Sequence, residues 1–346
     1  LSAIDSSVID ALAFGGAGAG EWAGGGAISA NVIANFLTTS ITDSTVSAGL
    51  NADGTAVTSA DATVSLDSKS STIIRSLGLG VSGGGKGAVS VSALGNAVAN
   101  TVTAEIDNST VRASGDITVA AKDIAPLIIP SWMLPSEQAT AVDEALDGSP
   151  IELDANILAV NVSVAGSGQT AVGVAVMGNV VANTVEASIG ENSTVLAGVN
   201  ADTGAVLDAD SDVFVTGVTD SGIIAFSVGV AASGQTAVQA SGFGNVITNR
   251  TSALIEDATN VSSGGVTSLD ASDQSQIRSL ALSVAGSGST AVGVLVGANV
   301  IVNDVNAVIS GSTVTSHGAL DVSAENDSDI LAFTGGVAAS GSTAVM

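Results

Sequence analysis

The polar residues with the most regular spacing are pairs of asparagines separated by three residues. Each pair closes an uncharged, valine-rich stretch, and successive pairs recur at intervals of about 50 to 80 residues. Asparagine tolerates left-handed turns, and its amide can bond the equivalent amide of a stacked repeat. We therefore predict a structural ladder, with a ligand site as the alternative, at Asn31, Asn35, Asn96, Asn100, Asn179, Asn183, Asn245, Asn249, Asn299 and Asn303.

Clustered carboxylates are a second group that could do chemistry. Asp208, Asp210 and Asp212 alternate along one segment, and residues 325–329 hold a similar acidic run. Such oxygen ligands suit Ca²⁺, although neither segment continues into an EF-hand loop. A solvated acidic turn is the other interpretation. Calcium is thus a candidate ligand, and no other cofactor is predicted.

Catalytic groupings are sparse in this sequence. His317 is the single imidazole, it precedes Gly318, and a solvent-facing turn explains it. No Gly-x-Ser-x-Gly elbow lies between a strand and a helix. The chain has only four arginines, and its acidic groups are scattered at turns. We predict that the chain is not an enzyme, and a polysaccharide-active β-helix enzyme is the remote alternative.

The composition favours a thin core and an exported protein. Aromatic residues make up 2% of the chain, glycine occupies 42 positions, and cysteine is absent. Small and β-branched residues suit a narrow gap between facing sheets. Acidic residues outnumber basic ones 33 to 7, giving a net charge of −26, which repels nucleic acid and anionic membranes. We therefore expect an extracellular location and no nucleic-acid partner.

Three uncharged stretches are long enough to cross a membrane as helices. They cover residues 155–185, 221–249 and 279–303. Each contains a Ser-Gly-x-Thr element and ends near asparagines, and no cluster of lysines or arginines marks a cytoplasmic side. The sequence therefore predicts no transmembrane span in this segment.

Internal repetition is the strongest signal of fold. Residues 282–314 repeat 160–195, and the shortest asparagine interval indicates a unit of about 53 residues that divides into six short alternating segments. Three strands per coil and two coils per unit predict an all-β parallel β-helix (β-solenoid) of about 26 residues per coil. In residues 320–324, Leu320, Val322 and Ala324 would point inward. The alternative is a string of antiparallel β-sandwich modules, with hairpins such as the one about residues 286–288.

One segment interrupts the repeats. We divide the chain into repeats at 1–123, a Pro-rich insertion at 124–150, and repeats at 151–346, all one continuous solenoid cut from a longer chain. A short helix is expected from Ser136. The insertion either folds over the rod or contacts a neighbouring fibre or host surface. Its candidate interaction residues are Ile128, Ile129, Trp132, Met133 and Leu134.

The repeat resembles a known class of bacterial exoprotein. Its elements VAGSGSTAVGV, NVIVNDVNAVI and STVTSHGALDVSA are similar to those of leukotoxin-type filamentous adhesins and, more loosely, of filamentous-haemagglutinin-like exoproteins. The resemblance covers nearly all of the chain outside 124–150. It implies a right-handed parallel β-helix, export across the outer membrane, and a role in adhesion or cell-to-cell contact. A self-associating filament or sheath subunit is the alternative, and the expected partners are other copies or cell-surface and matrix components.

Overall fold

The computed structural model describes residues 1–129 and 153–346, which form strands and turns without a helix. Accordingly, the described residues provide no helix of the length and apolarity that membrane crossing requires. The strands are β1 (Ser2–Asp5), β2 (Val8–Ala19), β3 (Trp22–Ile33), β4 (Phe36–Thr42), β5 (Thr45–Ala48), β6 (Val64–Ser70), β7 (Ile73–Gly84), β8 (Gly87–Val98), β9 (Thr101–Asp107), β10 (Thr110–Ala113), β11 (Ile117–Ile124), β12 (Ile157–Ser167), β13 (Thr170–Val181), β14 (Thr184–Ile189), β15 (Thr194–Ala197), β16 (Val213–Ser233), β17 (Thr236–Ile247), β18 (Arg250–Glu256), β19 (Asn260–Ser263), β20 (Thr267–Ser287), β21 (Thr290–Ile301), β22 (Asp304–Ser310), β23 (Val314–Ser316), β24 (Leu320–Ser340) and β25 (Thr343–Val345).

Each strand pairs in parallel with its equivalent in the neighbouring repeat. In β13, for example, Asn179 lies opposite Asn96 of β8 and Asn245 of β17. The pairs build four sheets of nine, six, five and five strands. The predicted all-β fold of stacked parallel strands is confirmed, and it is consistent with a parallel β-helix. The sandwich-module alternative is wrong, because antiparallel pairing among the described residues is limited to three isolated bridges.

The predicted coil length, about 26 residues, is also wrong. Val213 pairs with Thr267, and Thr267 pairs with Leu320, so equivalent positions are a whole repeat of about 53 residues apart. In the last copy the six segments read from the sequence merge into four strands, because two of the predicted breaks fall inside the continuous strands β21 and β24. In the first three repeats the long strand is divided in two, as β1 and β2, β6 and β7, and β11 and β12. One repeat therefore forms one rung. Five to six rungs at ~4.8 Å make a stack about 25 Å deep, less than half of the ~60 Å that thirteen coils would give.

Every repeat follows the same flattened path. The long strand β20 reaches a turn at Gly288 and Ser289, and β21 then runs back along it. These two strands contact each other but share no ladder, since β20 bonds to β16 and β24. Thus the reversal expected at residues 286–288 is present, and it joins two sheets that face each other across the interior. Strands β22 and β23 complete the circuit to β24.

The interior narrows from one end of this circuit to the other. The wide end holds valine, leucine and isoleucine, such as Leu66, Ile106 and Val215. A middle cluster contains Met177 and Phe243. The cluster beside the turn consists of buried alanines alone. The narrow half is the region of every rung that lies between this turn and the bend that follows β21.

In the narrow half, side chains on facing strands are matched in size. A Cβ on Gly229 would lie 1.7 Å from Nε2 of Gln239, so the glutamine already fills the space opposite that glycine. A Cβ on Gly80 would likewise lie 2.8 Å from the hydroxyl oxygen of Ser90, which faces that glycine. The thin core expected from composition is therefore built by glycine, alanine and serine, and the larger valines lie on the opposite side of these strands.

The two faces of one strand should respond differently to truncation. Ile223 is fully buried in the middle cluster, whereas Val228 of the same strand lies on the outer face. Ile223→Ala should cost about 3 kcal/mol through lost burial and a cavity, and Val228→Ala below about 1 kcal/mol. Equilibrium urea unfolding measures both. Equal losses for the two variants would contradict this assignment of faces.

The strand pairing agrees with the inward direction that the sequence predicts for the alternate residues of 320–324. Val322 pairs with Leu269 and Ala324 with Ala271, and both partners are fully buried in the wide end. Leu320 and Val322 are themselves exposed because β24 has a neighbouring rung on one side only.

Candidate functional site

The first asparagine of each pair points into the narrow half and forms a continuous side-chain ladder. Nδ2 of Asn31 donates to Oδ1 of Asn96 at 2.9 Å, and Asn96 donates to Asn179 at 2.8 Å. The series continues from Asn179 to Asn245 and from Asn245 to Asn299, both at 2.8 Å. Each interior amide donates to one neighbour and accepts from the other, so the ladder fixes the register of the rungs.

The second asparagine of each pair lies in the bend that follows the strand, and it bonds differently. Oδ1 of Asn183 accepts from the backbone N–H of Asn100 at 3.0 Å. In the same way Asn249 accepts from Asn183 at 3.1 Å, and Asn303 accepts from Asn249 at 3.2 Å. These side chains satisfy backbone groups where the sheet changes direction, which an apolar residue could not do.

The amide nitrogens of this second ladder meet a polar column on the long opposite sheet. Parallel pairing places Asp5, Ser70, Asp123, Thr219, Asp273 and Asn326 at successive rungs of that column. Carboxylates occupy every second rung, so none lies directly against another. Asparagines donate to all three carboxylates at 2.6–3.0 Å, joining Asn35 to Asp5, Asn100 to Asp123 and Asn249 to Asp273.

Burial makes two of these carboxylic acids weaker. Desolvation raises the pKa of Asp123 to about 6, against the lowering effect of the hydrogen bond from Asn100. Desolvation raises the pKa of Asp273 as well, opposed by bonds that include those from Ser275 and Asn249. Oδ1 of Asp123 has no hydrogen-bond donor, which agrees with the raised pKa.

Stability should therefore depend on pH through Asp123. Its folded pKa of about 6 exceeds the ordinary value of 3.8, so protonation favours the fold and stability rises as pH falls from above 6 toward 4. A shift of that size corresponds to about 3 kcal/mol. Asp123→Asn should remove this cost at pH 7.5 and reduce the pH dependence, leaving the part due to Asp273, as followed by urea unfolding from pH 4.5 to 7.5.

The matched control is Asp53→Asn, which changes the same charge in an exposed turn. It should leave the free energy of unfolding and its pH profile within about 0.5 kcal/mol of the wild type. If Asp123→Asn were no more stable than the wild type at pH 7.5, the carboxylate of Asp123 would not be a destabilising buried charge.

The calcium candidates Asp208, Asp210 and Asp212 do not converge on one point. Oδ1 of Asp208 accepts from the backbone N–H of Asp210 at 3.1 Å, and Oδ1 of Asp212 accepts from that of Val266 at 2.6 Å. Within residues 1–129 and 153–346, no three histidine, aspartate or glutamate side chains form a group able to hold a metal ion. In these positions the carboxylates cap backbone turns. His317 lies at a turn, where Nδ1 is 2.9 Å from the carbonyl oxygen of Ser263.

An open cleft of about 320 Å³ follows the outside of the bend. Its charged groups are Arg250 and Asp304, which are paired neighbours in the sheet. Apart from Val302, the remaining lining residues are alanine, threonine and asparagine, and they include Asn183, Asn249 and Asn303 of the second ladder. The cleft is thus the outer side of a structural bend.

The start of the insertion is bonded to the stack and to the segment that follows the insertion. Ile128 donates its backbone N–H to the carbonyl oxygen of Leu153 at 2.8 Å, and its own carbonyl oxygen accepts from Nε of Arg75 at 3.0 Å. Ile129 follows as the last residue described before 153. The other predicted contact residues lie outside the described residues, namely Trp132, Met133, Leu134 and the helix expected from Ser136.

Two outer faces rich in apolar residues cover the narrow half. One belongs to the long sheet, where leucine, valine and phenylalanine alternate with the small buried residues of β7, β12, β16 and β20. The other belongs to the six-stranded sheet of β3, β8, β13, β17, β21 and β25, and it is rich in valine. We call these the leucine face and the valine face. The stretches 155–185, 221–249 and 279–303 contribute no charge to these faces, whereas Asp10, Arg75 and Arg278 lie on the outer side of the long sheet and form ion pairs.

Sequence reasoning identified these uncharged stretches but missed the outward direction of their apolar residues. Alternation shows that a strand has two unlike faces, without showing which one is buried. In β13, Val172, Val174 and Val176 lie outside, while Ala171 and Ala175 are fully buried. The available signal was the glycine, alanine and serine at every second position, which suits only a very close sheet-to-sheet approach.

Comparison with known proteins adds no relative from which a role could be transferred. The ladders, the acidic column and the two outer faces are therefore interpreted from their own geometry. No protein-family model, curated protein or solved structure matches this chain.

Proposed function

We propose that this chain is a structural repeat region of an extracellular bacterial filamentous surface protein that acts in adhesion or cell-to-cell contact. The observation that carries the proposal is the register of the repeats, since every repeat adds one rung with the same outer faces. Each added repeat therefore lengthens the stack by ~4.8 Å and presents the same outer surface again. Such growth suits a shaft that presents many equivalent contacts.

The internal bonding also suits an exposed location. The chain has no cysteine, so its stability does not depend on the redox state of the surroundings. Asparagine ladders and parallel strand pairs connect each rung to the next, and they take the place of covalent links. The net charge of −26 is carried mostly outside the narrow half, which keeps the exterior soluble there.

A second candidate function is a self-associating filament or sheath subunit without a specific receptor. The two apolar outer faces favour it, because exposed apolar surface of this extent is typical of contact surfaces. Both candidates need the same stack, and they differ in what covers the narrow half.

Surface labelling of intact producing cells tests the first proposal. Antibody fragments raised against the folded 346-residue chain should label unpermeabilised cells, and they should reduce attachment of those cells to a matrix-coated surface several-fold. Fragments against a cytoplasmic protein serve as the control. Labelling that appears only after permeabilisation would overturn the extracellular proposal, and surface labelling without any loss of attachment would overturn the role in adhesion.

A further inference from the structure

The two outer faces of the narrow half differ in relief. On the leucine face, large side chains form a ridge along the stack, at positions that pair rung to rung. The side chains of Leu77, Phe226 and Phe333 in this ridge are 41%, 37% and 61% exposed. The ridge consists of Leu12, Leu77, Val160, Phe226, Leu280 and Phe333.

On the valine face, a groove runs in the same direction. Its floor is a column in which Gly95, Gly178 and Gly244 occupy three successive rungs. A Cβ placed on any of these glycines would meet no atom within 4 Å, so the space above them is open. The flanking columns carry mostly valines, including the exposed Val176 and Val180.

Packing in the interior does not explain why glycine occupies this column. It weakens a strand, and within strands it often marks a place where another chain or ligand approaches closely. Here the missing side chains face outward, toward empty space, in three neighbouring repeats. The opening is therefore available to a partner outside this chain.

We propose that the ridge of one copy seats in the groove of a second copy, so that the leucine face of one stack packs on the valine face of the next. The strand spacing is the same on both faces, and the ridge and groove therefore stay in register along the whole stack. Five to six rungs and about nine residues of strand give roughly 750 Å² per partner, close to the ~800 Å² of a standard stable interface.

Charge also favours a second copy as the occupant. Two chains of net charge −26 repel one another, and at the narrow half they can meet with little burial of unpaired charge. The strands of the valine face carry no charged residue, and at the leucine face Asp10 and Asp329 are paired with Arg75 and Arg278 at 2.7 and 2.6 Å. Because ridge and groove are different surfaces, the contact is heterologous and leaves a free ridge and a free groove at the two ends. Such contacts build open arrays, so copies would assemble side by side. This inference rests on the second candidate function, self-association, and specifies which two surfaces meet.

Sedimentation velocity of the full 346-residue chain over a concentration series tests the proposal. The wild type should show mass increasing with concentration. The double variant Gly178→Lys, Gly244→Lys places two ammonium groups in the groove, where burial without a partner is costly, and should raise the apparent dissociation constant at least about 100-fold. The open space above both glycines lets the variant fold, which circular dichroism and thermal unfolding verify.

The matched control is Thr216→Lys with Ser272→Lys, which adds the same charge to the outer face of the long sheet beyond the narrow half. It should associate like the wild type. A wild type that stays monomeric at all concentrations, or a groove variant that associates as the wild type does, would overturn the proposal. Flotation of monomeric chain with neutral phosphatidylcholine vesicles would also overturn it, by assigning the faces to lipid. The surface-labelling experiment on cells does not depend on any of these results. It therefore tests the proposed extracellular role independently of this inference.

Discussion

Asn179→Leu should destabilise the chain by about 3–5 kcal/mol, measured as the free energy of unfolding in urea. Asn179 is fully buried at the middle of the first ladder, where it accepts from Asn96 and donates to Asn245. Leucine has a similar volume but neither donates nor accepts. The variant leaves the side-chain carbonyl oxygen of Asn245 without its donor and the amide of Asn96 with one bond fewer, and unpaired buried polar groups carry a large penalty.

The same substitution at the end of the ladder provides the control. Asn31 is partly exposed on the outermost rung, where water can replace a lost bond. Asn31→Leu should therefore cost at most about 1 kcal/mol. Equal effects at Asn31 and Asn179 would show that the bonds between rungs contribute little, and that apolar packing alone sets the register.

Gly80→Val should be at least as damaging, with a loss of about 3 kcal/mol or more, or failure to fold. A Cβ at this position would lie 2.8 Å from the backbone carbonyl oxygen of Val91 and 2.8 Å from the hydroxyl oxygen of Ser90. The backbone of the facing strand cannot retreat without disturbing the neighbouring rungs, so the added methyl groups overfill the gap. Thermal unfolding and the yield of soluble protein measure the effect.

Gly83 lies on the same strand and supplies the matched control. A Cβ on Gly83 would meet no atom within 4 Å, because this position faces outward. Gly83→Val should leave the free energy of unfolding unchanged or raise it by up to about 1 kcal/mol, since valine favours strands. A well-folded Gly80→Val protein would refute the close approach of the two sheets.

The fold class could be predicted because repetition and alternation are properties of the sequence itself. The coil length could not, because turn-forming residues do not always end a strand. Asp220, Ser221 and Gly222 resemble a separator, yet β16 continues through them. Polar residues are tolerated there because Ser221 bonds to Asn249 of the second ladder. The prediction of two coils per repeat treats such positions as corners between strands.

The candidate site was predictable in part. The asparagine spacing singled out both ladder positions, whereas the buried partners Asp123 and Asp273 carry no signal that separates them from exposed aspartates. These aspartates are buried because the second asparagine ladder faces them across the interior. Only the folded chain brings the two columns together. The outward direction of the valines in β13 and β21 does have a signal, the small residues at every second position, but alternation alone leaves open which side is buried.

A single distance measures most directly whether each repeat forms one rung. The chain has no cysteine, so V89C and V292C allow two spin labels to be placed on the valine face. Val89 connects to Val292 through Val172 and Val238, three steps along the stack, which predicts about 14 Å between the two backbones. Double electron–electron resonance should give a narrow distribution near that value, after allowance for the label arms. A separation of about 29 Å, as two coils per repeat would produce, or a broad distribution, as separate modules would produce, would contradict the stacked structure.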